Sequence, residues 1–264
     1  QAELSRGLIK GFTLVWEPGK AKRIDRVLEA MKASFKPYGD VALDDALAAP
    51  GSTAREDMLA GLEVRRPERV LSGFFVDARG HVLTTETAVA GCGRVTIDDG
   101  TEASVIATAD GLALIAPTTP LAPESHAAFR PVSPRAGSEV ALAGFAYADL
   151  LDTPVMTFGR FTGPGGFDGA PGLLRLELAA LEGDAGGPVL DTSGAVLGLL
   201  LPASAGGSRP PPSGAALARD AIEITTFLTA NGVEPQAIES NGAMAAEDLT
   251  RRAVGMATRV ACWN

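Results

Sequence analysis

The residues that could do chemistry are few. The chain carries two histidines, His81 and His126, and two cysteines, Cys92 and Cys262. The densest local signal is Glu182-Gly-Asp-Ala-Gly-Gly-Pro188. Glycines at this density let the backbone turn sharply and expose successive N–H groups. The turn itself holds no Ser, Thr or Cys. Thr85 and Thr87 carry hydroxyls, and Glu86 and Asp110 carry carboxylates. A hydroxyl attacks only when a base such as imidazole takes its proton. His81 reads as a surface histidine at a turn-to-strand position, and Glu86 and Asp110 read as exposed turn carboxylates. No CxxC, no HxxxH and no carboxylate cluster with histidine is present, so no metal is expected. No glycine-rich loop runs from a strand into a helix, so no cofactor is expected either.

Composition narrows the partners. The 264 residues are 46% hydrophobic and 21% charged, with a net charge of −9, which argues against nucleic acid. No run of about 18 apolar residues exists, so no membrane-spanning helix is expected. All five lysines lie in the first 36 residues, which hold 8 basic and 4 acidic side chains. The other 228 hold 15 basic and 28 acidic, and after Lys36 every basic residue is arginine. This shift predicts a domain boundary between residues 37 and 60.

The elements that must position these groups follow from periodicity. Gly7 to Trp16 reads as a strand, and Lys20 to Phe35 as a helix with Ile24, Val27, Leu28, Met31 and Phe35 on one face. One strand and one helix cannot bury a core alone. Residues 1–37 are therefore expected either to finish a domain that begins upstream or to dock onto the rest of the chain. The chain starts at Gln1 without a methionine, which reads as a processed or engineered start. Residues 38–60 read as a linker. From Gly61 the texture is short strands between Gly, Asp and Pro turns: Val70–Val76, His81–Thr85, Arg94–Ile97, Ala103–Thr108 and Leu112–Ala116, then Glu139–Phe145, Val155–Phe161, Leu173–Leu178, Pro188–Leu190, Ala195–Leu201 and Gly214–Leu217. Strands at this spacing indicate a sandwich or barrel. Ala221 to Ala230 and Glu247 to Val260 read as helices, the second with Leu249, Ala253, Met256 and Val260 on one face.

The glycine-rich turn also carries a resemblance. Its GDAGGPV is similar to the GDSGGP nucleophile motif of trypsin-like serine proteases. The longer stretch ELAALEGDAGGPVLDTSGAVLGLLLP resembles the corresponding segment of the HtrA/Deg group. Upstream, SGFFVDARGHVLTTETAV and TADGLALIAP resemble that group's histidine and aspartate segments. The three matches stand in the family's order and span Leu71 to Thr229. The resemblance implies an all-β fold, a chymotrypsin-like pair of six-stranded antiparallel β-barrels, one over Arg65–Pro131 and one over Pro134–Arg219. Around them it leaves a strand–helix extension (1–37), a linker (38–60) and a helical C-terminal tail (232–264), with the double barrel occupying 61–231.

The family's catalytic positions fall on the wrong residues. The histidine position is Thr87, the aspartate position Gly111 and the nucleophile position Ala185. A triad needs a hydroxyl, an imidazole base and a carboxylate that orients it. The resemblance therefore implies an inactive member, a pseudoprotease that binds a protein or peptide partner, with an envelope component among the candidates. The alternative is a serine endopeptidase whose catalytic residues lie elsewhere or were replaced. The remaining frame implies an oxyanion-hole remnant at Gly183 and Ala185. Glu182 stands there in place of the group's usual proline. A specificity-pocket remnant falls at Ala179, small or apolar if open and filled by side chains if closed. A serine at 185 is expected to be tolerated, since a small polar group at a cleft edge reaches water. The resemblance also suits an oxidising compartment, periplasmic or secreted, and there Cys92 and Cys262 are expected to pair. Two free buried thiols are the other reading.

Overall fold

A computed structural model describes residues 2–5, 8–11, 21–35, 66–98, 100–130, 132, 134–148, 150–206, 211–238 and 242–264. The chain divides into two compact units, Gln1–Arg65 and Arg66–Asn264. In the first, β1 (Ala2–Ser5) and β2 (Leu8–Gly11) form an antiparallel hairpin, and α1 spans Ala21–Ser34. The expected strand at 7–16 is thus the second arm of a hairpin, and its end lies outside the described residues. The α1 face is only half-covered, with Ile24, Leu28 and Met31 half-buried and Val27 exposed. The linker expected at 38–60 lies outside the described residues.

The second unit contains two closed six-stranded antiparallel barrels. The first uses β3 (Arg69–Phe75), β4 (Val82–Thr85), β5 (Arg94–Ile97), β6 (Thr101–Ala109) and β7 (Leu112–Pro117), with a single-turn helix α2 (Glu86–Val89) after β4. The second uses β9 (Glu139–Gly144), β10 (Val155–Pro164), β11 (Leu173–Glu177), β12 (Pro188–Asp191), β13 (Val196–Leu200) and β14 (Ala215–Asp220), closed by pairing of β12 with β13. Helix α3 (Ala221–Ala230) follows, its first turn capped by the Asp220 carboxylate, which accepts from the Glu223 N–H. Two short strands that periodicity does not reveal, β8 (Ala128–Phe129) and β15 (Gln236–Ala237), extend the second sheet in parallel beyond β13.

Period-two alternation sorts the apolar residues into separate cores. On β7, Ala113 and Ile115 fill the first barrel, while Leu112 and Leu114 face the large cluster outside it. On β9, Val140 and Leu142 fill the second barrel, while Ala141 and Ala143 face that same outer cluster. The outer cluster packs Phe74, Leu83 and Leu114 with Phe129, Leu190 and Leu217, so it welds the barrels to one another.

The C-terminus corrects the expected helical tail. Helix α4 (Ala246–Met256) stops where Glu247–Val260 was expected to continue, and Ala257–Trp263 is a strand, β16. This strand pairs with β3 on one side and β5 on the other and is the sixth strand of the first barrel. The first barrel is therefore not contained in Arg65–Pro131. The helical spacing of Leu249, Ala253, Met256 and Val260 is real, but Thr258, Val260 and Trp263 favour an extended chain. Two unpaired edges of a five-stranded sheet supply the backbone partners. The strand end is fixed by the Trp263 indole N–H donating to Thr96 Oγ1 at 2.9 Å and by the Arg94 guanidinium 4.7 Å above the indole ring.

Cys262 on β16 forms a disulfide with Cys92, which follows α2, with Cα atoms 5.3 Å apart and the two residues 170 positions apart in the chain. Closing a loop of that length stabilises by about 4–5 kcal/mol in the chain-entropy model. The protein is expected to show a mass two hydrogens below the dithiol under non-reducing conditions and to lose most of that stability in urea titrations with reductant. Two alkylatable thiols in freshly purified folded protein would contradict this.

Candidate functional site

The three family positions come together between the barrels. Thr87 sits exposed on α2, its Oγ1 2.9 Å from Thr85 Oγ1. Gly111 occupies the β6–β7 turn at φ 81°, after Asp110 at φ 52°. The Gly111 carbonyl accepts the Glu86 N–H at 2.9 Å, which joins the two positions. Ala185 follows a 3-10 turn over Glu182–Asp184. Its neighbour Gly186 donates to the Leu200 carbonyl, and a Cβ on Gly111 would lie 3.9 Å from the Leu201 side chain. No hydroxyl, imidazole or carboxylate of the three roles is carried at the three positions. His81 lies elsewhere, its Nδ1 2.6 Å from Asp77 Oδ2 across the β3–β4 turn.

One donor of the oxyanion-hole remnant, the Ala185 N–H, is used within the turn. The Ala185 N–H donates to the Glu182 carbonyl at 3.2 Å, and the Gly183 carbonyl accepts the Ser72 hydroxyl at 2.7 Å. The Ala185 side chain is 2% exposed and packs in the core of the first barrel. This corrects the expectation of a cleft edge open to water. A hydroxyl added there enters an apolar cluster and is expected to cost about 1–3 kcal/mol if unpaired.

The turn's glycines are required by contact. Gly186 has φ 92°, and a Cβ there would collide with the Ser72 carbonyl and crowd Thr84 Oγ1. A Cβ on Gly187 would press on the Ala143 carbonyl. Asp184 is the turn's one ionisable buried group, 1% exposed. Its Oδ2 accepts the Leu181 N–H at 2.9 Å, and its Oδ1 has no hydrogen-bond partner. Burial raises the carboxyl above its ordinary value, against the smaller opposing effect of the Leu181 and Ala146 N–H groups.

Beside the turn, where the resemblance places the specificity-pocket remnant, lies a cavity. It measures about 310 Å³ and is lined by Ala180, Leu181, Leu200, Leu201, Ala216 and Leu217, with Glu182 at its edge. The volume suits one apolar side chain. Ala179, the position expected at its floor, is exposed, and it is the next residue, Ala180, that lines the cavity. Sequence reasoning missed Ser72. It shares a strand face with Phe74 and Val76, both buried in the outer cluster, and a serine on that face is the signal that could have exposed it.

Gly186→Ala is expected to lower stability by about 2–3 kcal/mol through backbone strain and contact with Ser72, measured by urea unfolding. A neutral result would mean the turn relaxes freely. Asp184 gives a pH dependence. A carboxyl raised in the folded state stabilises fully below its unfolded value near 3.8 and loses that contribution as pH rises through the raised value. Asp184→Asn cannot ionise, so its stability relative to the parent is expected to rise between acidic and neutral pH. A constant difference across that range would show an unperturbed carboxyl.

The family model for the Trypsin-like peptidase domain matches residues 71–199. A curated relative, the uncharacterised protein y4bJ of Sinorhizobium fredii, is 24% identical over 204 residues, which cover 72% of this chain and 32% of y4bJ. The chain thus spans about a third of that relative's length. Among solved structures, an inactive mutant form of Rv3671c from M. tuberculosis is 22% identical with a TM-score of 0.50, covering 74% of this chain and 97% of that one. The HtrA-type protease AlgW with a decapeptide is 19% identical with a TM-score of 0.49, covering 61% and 51%. At these identities the structural likeness concerns the fold. The double barrel, the family match and the placement of the glycine-rich turn agree, and residues 71–199 form a trypsin-like peptidase domain.

Proposed function

We propose that this chain is a non-catalytic trypsin-like domain that binds a protein or peptide partner in the cell envelope. One observation carries the reading. The pocket beside the old nucleophile position is open and apolar, while Ala185, Thr87 and Gly111 provide neither nucleophile nor base nor orienting carboxylate. An extended segment that lodged one apolar side chain among Leu181, Leu200 and Leu217 would gain burial without facing a group able to cleave it. The Ala185 N–H is already bonded to the Glu182 carbonyl, so even a serine at 185 would lack one of the two donors its transition state needs. Placement in the periplasm or outside the cell is part of the proposal, and the paired Cys92 and Cys262 support an oxidising compartment.

The purified chain is expected to hydrolyse neither casein nor peptide esters and to take no label from fluorophosphonate probes. Ala185→Ser alone is expected to remain inert to both. Stoichiometric labelling of the unmodified chain would overturn the proposal in favour of a serine endopeptidase with its catalytic residues elsewhere.

A further inference from the structure

The rim of the apolar pocket is acidic. Glu182 lines the cavity itself. Glu86 and Asp110 stand beside Gly111, whose carbonyl accepts the Glu86 N–H and where an added Cβ would lie 3.9 Å from the side chain of Leu201 in the pocket wall. All three side chains belong to exposed residues, and none forms an ion pair among the described residues. Arg219 is close, but its guanidinium donates to the main-chain carbonyl of Asp110 at 2.6 Å, not to the carboxylate. Among the described residues, three carboxylates without an ion pair thus stand at or near a cavity with an apolar lining, Glu182 in its wall and Glu86 and Asp110 beside Gly111.

We propose that this surface selects an extended peptide segment in which one apolar residue is flanked by lysines or arginines. The inference rests on the binding reading above and adds the chemistry of the partner. The apolar side chain enters the cavity and supplies most of the affinity, as a desolvated anchor does. The flanking cations lie against Glu182 on one side and against Glu86 and Asp110 on the other. Exposed carboxylates act mainly on selectivity and on encounter rate, because water and salt screen them. An acidic segment of the same shape would bring like charges together over the same anchor and be rejected. The two residues that flank the vacated catalytic positions, Glu86 before Thr87 and Asp110 before Gly111, thereby acquire a role in recognition.

The test uses the full chain and three fluorescein-labelled peptides: Lys-Lys-Ala-Phe-Ala-Lys-Lys, its counterpart with glutamates for lysines, and the lysine peptide with glycine for phenylalanine. Fluorescence anisotropy is expected to show the first binding at least about tenfold more tightly than either control, with the charge preference shrinking as salt rises from about 50 to about 500 mM. Glu182→Gln and Glu86→Gln, at exposed positions, are each expected to weaken the lysine peptide by roughly threefold or more and to leave the glutamate peptide no weaker. Ala180→Phe, with an unchanged circular dichroism spectrum, is expected to abolish binding by filling the cavity. Equal affinity for lysine and glutamate peptides, still lost in Ala180→Phe, would overturn this inference and leave the binding reading intact. No binding of any peptide would overturn both. Concentration-dependent dimerisation abolished by Ala180→Phe would assign the cavity to a second copy of the chain and overturn the basic-peptide inference.

Discussion

A single buried hydroxyl holds the two barrels in register at the site. Ser72 lies on β3 of the first barrel, fully buried. Its Oγ donates to the Gly183 carbonyl at 2.7 Å and accepts the Phe145 N–H at 2.8 Å, both from the second barrel's loops. Its own N–H donates to the Ala185 carbonyl at 3.0 Å, and its carbonyl accepts the Thr84 hydroxyl at 2.6 Å. Every polar group of the residue is therefore used, which is the condition under which a polar network can be buried without penalty. The glycine-rich turn, the loop after β9 and the strand that begins the first barrel all meet at this residue. The close approach of Gly186 to the same carbonyl follows from it, since the turn is drawn against β3 by two of these bonds, at Gly183 and Ala185.

This constraint explains why the turn needs its glycines although residue 185 is an alanine. In an active enzyme the turn must present a side chain and two N–H groups to substrate. Here the turn faces inward. Its N–H at 185 is satisfied by Glu182, its methyl fills a gap among Ala88, Val89 and Val260, and its carboxylate at 184 is sealed beneath the loop after β9. The turn's geometry serves packing here, and in the proposed non-catalytic reading the fold keeps the motif without its reaction.

Much of this was legible from the chain alone, for a physical reason. Strand alternation is strong where both faces of a sheet are buried against different cores, and β3, β7 and β9 are such strands. Eleven strand segments were placed by periodicity close to their observed bounds, and Ala221–Ala230 matched its helix. Periodicity failed at β16, because Leu249 to Val260 repeats with a helical spacing while the last part answers to two distant backbone edges that no local pattern contains. It failed also at β8 and β15, each of two residues, too short to show a period. At the site, the replaced residues could be read directly from the glycine-rich motif and its upstream counterparts. The inward N–H of Ala185 and the hub at Ser72 could not, because they depend on which segments meet in space.

The placement of β16 sets an order on biosynthesis. The second barrel has all six of its strands once residue 220 is made, whereas β3 and β5 flank a gap until residues 257–263 arrive. At roughly 5–20 residues per second, the interval from the end of β7 to the end of β16 is on the order of ten seconds or more. Through that interval the first barrel is a five-stranded sheet with two adhesive edges and an unpaired thiol at residue 92. The most non-local pairing in the domain is thus also its last, which raises contact order and slows completion. A nascent chain of this kind is exposed to foreign strands and foreign thiols for longer than one whose first barrel closes on its own sequence.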